Sequence, residues 1–285
     1  MTYGDIHVHV DVSEASNERL RIAARIAAFR KAHVTGYFIN VPPAPLTDIA
    51  QFSEAGVRSR TSDDELKLIV ECREQELRRA EAMFKVHMNQ AGLQATWSTV
   101  SGDSFAALIP DAIYSDLTIL GNEALLASMA ADPYFGGKLA FESGRPILRI
   151  PAGARAESFG TRILIAWNGC REAARAIADA QPLLERASFV TLLQVVEPWE
   201  DSQQEFESLE KIIVHMRHLG VVAERDVVRT TEFGIADQIL AHANRTDCDL
   251  IVMGAYGHSP IGETLLGGVT RSLSKEAQIS LFLSH

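Results

Sequence analysis

Glycines at positions 254, 257, 267 and 268 follow directly on an apolar run, Leu250-Ile-Val-Met253, and precede a stretch of helical character. Glycine lets backbone amides come close to an anion, and a helix N-terminus adds unpaired N–H donors and partial positive charge. The chemistry open to this segment is the holding of a phosphate by backbone, with a plain turn and helix-packing role as the alternative. Thr270 and Arg271 come next. The threonine could add a hydroxyl to the cradle or cap the helix, and the arginine could reach a phosphate or lie on a solvated face.

A second pattern is Asp5-Ile-His7-Val-His9-Val-Asp11. Residues two apart on a strand share a face, so His7 and His9 could serve a metal-dependent hydrolase. Such an enzyme gathers further ligands from later strand ends, whereas His33, His87, His215, His218 and His242 fall on expected helices or strand starts. Histidines hydrogen-bonded in or beside the core, with no metal, are the expectation. Cys170 lies near a helix start, where a thiol pKa can drop, but a small residue packed under a helix is the preferred reading. Neither a G-x4-G-K-[ST] loop nor a G-x-S-x-G elbow occurs, so fast ATP hydrolysis and acyl transfer lack their residues, while slow hydrolysis stays open.

The elements that would position these residues occur twice. In the second half, short β-type runs at 162–167, 189–196, 221–229 and 249–253 alternate with helical stretches at 171–185, 202–219 and 235–243, and a last strand at 281–283 follows the glycine loop and its helix. The first half repeats the order with strands at 5–10, 34–39, 96–100, 116–120 and 145–150, and helices at 17–29, 63–90 and 105–114. Asp116-Leu-Thr-Ile-Leu-Gly121 and Asp249-Leu-Ile-Val-Met-Gly254 mark the duplication most clearly. The first half is longer by a Pro-rich segment, 42–62. Continuous Val, Ile and Leu in alternation with helices imply a parallel sheet covered on both faces. The expected units are 1–151 and 160–285, joined through a Gly-, Ala- and Pro-containing linker at 151–159.

The spacing Gly254-x2-Gly257-x9-Gly267, with Val269-Thr270 and the closing Leu-Ser-His, resembles the ATP signature of the universal stress protein family, and the likeness extends over nearly the whole chain as two tandem copies. The resemblance implies two flavodoxin-like, adenine-nucleotide alpha-hydrolase-like α/β domains, each with a five-stranded parallel sheet. It implies ATP with Mg²⁺ at Gly254, Gly257, Gly267 and Gly268. The family usually has a hydroxyl where this chain has Gly268, so one side-chain hydrogen bond is missing. It also has an aspartate at the end of the first strand, where the second half has Asn168 and the first half Asp11. Asn168 is either an uncharged contact to the base or the opening of an ordinary Asn-Gly turn, and Val195 is placed to pack on the base. After Gly121 the first half lacks the paired glycines, and Glu123 and Asp132 bring negative charge. Gly136-Gly137 could still form a small nest, but the phosphate cradle is expected to be lost, leaving one nucleotide site per chain.

With 37 Asp and Glu against 27 Lys and Arg, the net charge is -10, and no basic patch offers itself to nucleic acid. Three cysteines, Cys72, Cys170 and Cys248, stand in no metal spacing and suit a reducing compartment. No apolar run reaches the roughly 18–20 residues a bilayer requires, and the start lacks a signal-like segment, so a soluble cytoplasmic protein is expected. Beyond ATP, the expected associations are an intramolecular pseudo-dimer, possible homodimerisation and an unidentified protein partner. The expected mode of action is nucleotide-dependent regulation in the stress response, not fast catalysis. Partner binding without nucleotide is the alternative.

Overall fold

Short β-type runs become the strands, largely apolar on both faces except in the two outermost. They are β1 (Asp5–His9), β2 (His33–Asn40), β3 (Ala95–Ser101), β4 (Leu117–Leu120) and β5 (Ile147–Arg149) in the first half. The second half contributes β6 (Arg162–Trp167), β7 (Phe189–Val196), β8 (Glu224–Arg229), β9 (Leu250–Gly254) and β10 (Ser280–Ser284). Helices α1 (Glu14–Ala28), α2 (Asp63–Gln90), α3 (Ile109–Ala112) and α4 (Phe135–Ser143) belong to the first half. Helices α5 (Arg171–Leu184), α6 (Ser202–His218), α7 (Ile235–Arg245) and α8 (Gly268–Glu276) belong to the second. The computed structural model describes residues 3–40, 63–101, 105–121, 135–197, 202–230, 234–255 and 268–285. The Pro-rich segment 42–62 lies outside the described residues, as do Glu123 and Asp132.

The α/β class and the five parallel strands of each half are as expected, but the two sheets do not stay apart. They join edge to edge into one ten-stranded sheet in the order β3-β2-β1-β4-β5-β10-β9-β6-β7-β8. The joint is antiparallel, with Leu281 opposite Arg149, Phe282 opposite Leu148 and Leu283 opposite Ile147. Every other described pairing is parallel. Both faces of the joined sheet are covered. On one side Val8, Leu148, Ile165, Leu250 and Phe282 share an apolar layer with α1, α2, α5 and α6. On the other, Leu120, Ile147, Met253 and Leu283 pack with α3, α4, α7 and α8. Each layer crosses the seam, so burial is shared between the halves.

The duplicated Asp-apolar-Gly runs have a structural meaning. Asp116 Oδ2 accepts the amides of Gly4 and Asp5 at 2.7 and 3.1 Å. Asp249 accepts those of Gly160, Thr161 and Arg162 at 2.6, 3.0 and 2.8 Å. In each half, the aspartate before the fourth strand thus satisfies the orphan amides that begin the first strand, and so fixes the register of the pair. Two strands are shorter than the sequence pattern implies. Pro146 cannot donate to a ladder, and β5 starts after it. Gly220, at φ +78, ends α6 in a left-handed turn in which the Val221 amide bonds back to the Met216 carbonyl at 2.9 Å, which takes residues 221–223 out of β8.

Phe282 is fully buried at the seam. Replacing it by Ala should cost about 4 kcal/mol by transfer and cavity terms. Because both layers cross the seam, urea unfolding followed by circular dichroism should stay a single transition in the parent chain. Two separated transitions would contradict the shared core.

Candidate functional site

The residues singled out in the second half meet at the carboxyl ends of β6, β7 and β9, where open α/β sheets place their ligand crevice. Gly254 ends β9 opposite Ser284. A Cβ built on it would lie 2.7 Å from the Glu172 carbonyl carbon and the Ala173 amide nitrogen, so glycine is what allows the first turn of α5 to rest against this strand end. The ladder runs one step further: the Ala255 amide donates to the Ser284 carbonyl at 2.7 Å, and His285 Nδ1 meets the Ala255 carbonyl at 2.9 Å. Gly257 and Gly267, which carry the expected cradle, lie outside the described residues.

The chain returns as α8, and Gly268 is its first residue. Gly268 is exposed, and among the described residues nothing lies within 4 Å of a Cβ built there. Thr270 is buried on the inner face of α8. The cap reading of Thr270 is corrected: the residue sits inside the first turn, whereas a cap precedes the helix. Arg271 projects from the exposed face of the same turn.

Across the crevice, Asn168 is exposed and its Oδ1 accepts the Cys170 amide at 3.3 Å, while Gly169 takes φ +73. The Asn-Gly turn is therefore formed, and its job is to turn the chain into α5. Val195 is half-buried and packs with Ala166, Val228 and Val269 in the layer beneath α7 and α8. It thus lies over the same face of the sheet as the α8 N-terminus. Sequence reasoning missed Ser208 on α6, whose hydroxyl accepts Trp167 Nε1–H at 3.2 Å and lies 3.3 Å from a Cβ at Gly169. A lone serine in a helix carries no sequence signal for this. Cys170 precedes α5 and its Sγ accepts the Ala173 amide at 3.4 Å. Burial raises its thiol pKa, the opposite of an activated thiolate.

In the first half the equivalent crevice is filled by the protein itself. Arg19 of α1 is 1% exposed, donates Nε–H to the His9 carbonyl at 2.7 Å and Nη2–H to Asp11 Oδ2 at 2.7 Å. A Cβ on Gly121 would run into this guanidinium. The Ser13 amide takes the other Asp11 oxygen at 2.7 Å. Burial would raise the Asp11 carboxyl, but the charge of Arg19 overrides it and brings the pKa down to about 2. Gly136 and Gly137, read as a possible nest, are instead buried in the first turn of α4. The sequence reading located the loss of the first site in its loop, and Arg19 is a separate obstacle that appears only in three dimensions.

His7 and His9 are both buried on the face of β1 that carries Tyr37 and Thr118. His7 lies 4.8 Å from the Tyr37 ring. Each histidine sits beside an aspartate, His7 at 3.7 Å from Asp5 on the same strand and His9 at 3.8 Å from Asp11 just past the strand end. Among the described residues no cluster of three or more His, Cys, Asp or Glu has a geometry that could hold a metal ion. Burial and the nearby Arg19 charge push His9 down to about 3, so it is neutral in the folded chain.

Residues 161–285 match the universal stress protein family. Over its whole length the chain resembles a universal stress protein from Archaeoglobus fulgidus DSM 4304, with a TM-score of 0.69 at 16% identity, covering 98% of this chain and 95% of that one. It also resembles a functionally unknown protein from Pseudomonas aeruginosa PAO1, with a TM-score of 0.60 at 14% identity, covering 99% and 92%. At these identities the likeness concerns the fold. No curated protein matches the sequence. Among the described residues no helix is long and apolar enough to cross a membrane.

Three outcomes follow from this geometry. Gly254→Ala should lose about 2 kcal/mol in urea unfolding, since its Cβ meets helix backbone that cannot step aside. Asp11→Ala should lose about 3 kcal/mol, because it strands the buried Arg19 charge. His9 accepts a proton in the unfolded chain below its ordinary value of 6.5 but in the native chain only near 3, so acid favours unfolding across that window. Stability measured from pH 7 to 3 should therefore fall, and His9→Gln should make the slope shallower.

Proposed function

With residues 161–285 forming a universal stress protein domain, we propose that this half binds ATP with Mg²⁺ and that the bound nucleotide regulates a stress response. The observation that carries the proposal is the placement of the two described ends of the glycine segment. One end is the carboxyl end of β9 inside a parallel sheet, and the other is the start of α8, where Gly268 and Arg271 are exposed. Backbone amides of Gly257, Gly267 and Gly268 would hold the phosphates, with the partial positive charge of the α8 start behind them. Mg²⁺ would travel on the phosphate oxygens. Val195 and its half-buried apolar neighbours would form the wall for the base. Gly254 contributes by letting α5 close on the strand, and Asn168 by fixing the turn at the rim. Thr270 supports α8 from within, and Arg271 is placed to reach a phosphate.

In this reading the protein acts by binding, and turnover of ATP is slow or nil. A cytoplasmic setting and association through a protein partner or a second copy belong to the same proposal. The alternative, partner binding without nucleotide, draws on Asn168, whose side-chain oxygen is already taken by the Cys170 amide.

The test is calorimetric titration of nucleotide-stripped protein with ATP and Mg²⁺. One saturable site per chain is expected, abolished by Gly257→Asp, which puts a side chain and a negative charge into the cradle. Gly268→Ser should bind about five-fold more tightly, the value of one added hydrogen bond of about 1 kcal/mol. No binding by the folded protein would favour the partner-binding reading.

A further inference from the structure

A separate cleft lies on the helical face that carries α1 and α5, where the last turns of these two helices meet the segment that joins the halves. It is a shallow cleft open to solvent, with only about 50 Å³ enclosed, so an occupant would lie along it and not inside it. Its floor is apolar: Ile26 and Phe29 from α1 and the residue after it, Pro182 and Leu183 from α5, and Phe159 from the joining segment. Its rim carries three guanidinium groups, those of Arg25, Arg30 and Arg186. Both halves contribute, so an occupant would bridge them.

The rim is a local concentration of positive charge in an acidic chain. Acidic residues outnumber basic ones, and Arg19, Arg21, Arg73, Arg171 and Arg175 each meet a carboxylate. Arg25, Arg30 and Arg186 meet none among the described residues; instead Arg30 and Arg186 lie over the Phe29 ring, at 4.9 and 4.7 Å from its centroid. Placing cations where helices end is ordinary, because each terminus carries about half a negative charge. Two termini offset about one of the three positive charges, which leaves roughly two without a counter-ion. The cleft lies at the start of β6, beside Gly160, whereas the glycine loop leaves the opposite end of the neighbouring parallel strand. With six residues in β6, the two places are about 20 Å apart.

We propose that this cleft binds an amphipathic carboxylate, a medium-chain alkyl acid whose tail lies on the Phe29, Phe159 and Leu183 floor and whose headgroup meets Arg30 and Arg186. An apolar floor selects against inorganic anions, and guanidinium groups select the carboxylate over a neutral chain of the same length. Because Arg186 lies just beyond α5 and Phe29 directly follows α1, the ligand would tighten the seam between the halves without touching the nucleotide crevice.

The experiment uses the full chain, free of nucleotide, titrated calorimetrically with decanoate below its micellar range, with 1-decanol and inorganic phosphate as comparison probes. Saturable decanoate binding near one per chain is expected, with phosphate silent and decanol at least ten-fold weaker. The paired change Arg30→Glu and Arg186→Glu should weaken decanoate about ten-fold or more through loss of the charged contacts. The milder Phe29→Ala should also weaken it; the three positions are exposed, and circular dichroism would confirm each fold. The exposed Lys211→Glu on α6 serves as a charge control and should leave binding unchanged. Absence of saturable decanoate binding, equal affinity for decanol, binding of phosphate alone, or binding untouched by the rim changes would each overturn the proposal.

Discussion

The antiparallel pairing of β5 with β10 is the contact on which the rest of this structure depends. It places two last strands side by side at the centre of a ten-stranded sheet, where each would otherwise be an open edge. Ile147, Leu148, Phe282 and Leu283 are fully buried there, on opposite faces of the sheet. Once that joint exists, the helical layers on both sides become continuous, and α1 comes to rest near α5. Tyr3 then donates its hydroxyl to the Asp179 carbonyl at 2.7 Å, and Glu18 accepts the Ala156 amide at 2.8 Å. The joining segment is thus packed against the first half, with Ala156 and Phe159 buried in the shared layer.

Against this near-symmetric frame the two halves have diverged at the carboxyl ends of their first and fourth strands. The fold supplies the same crevice twice, and the side chains decide what fills it. In the first half a single arginine on α1 takes up the aspartate, the strand-end carbonyl and the space beside Gly121. In the second half the equivalent glycine lies against Glu172 and Ala173 of α5, and the residue corresponding to Arg19 is the small Ala176. A buried guanidinium is costly to leave unpaired, so the Arg19 arrangement holds itself in place once formed. Seam and crevice divide the labour: one couples the halves, the other makes them unequal.

The sequence by itself determined a great deal. Alternating apolar runs and helical stretches defined the α/β class, because a parallel strand buried on both faces must be apolar throughout. The repeated Asp-apolar-Gly run disclosed the duplication, and both aspartates turned out to clamp the start of their own first strand. The glycine segment was legible as a candidate for a backbone cradle because glycine's freedom and the following helix are local properties. What only the tertiary structure decided are the contacts between residues far apart in the chain. The edge-to-edge seam, the need for glycine at 254, the Arg19 plug and the guanidinium-rimmed cleft all depend on which helix is laid against which strand. Local propensity carries no record of that choice, since it is made by burial summed over the whole sheet.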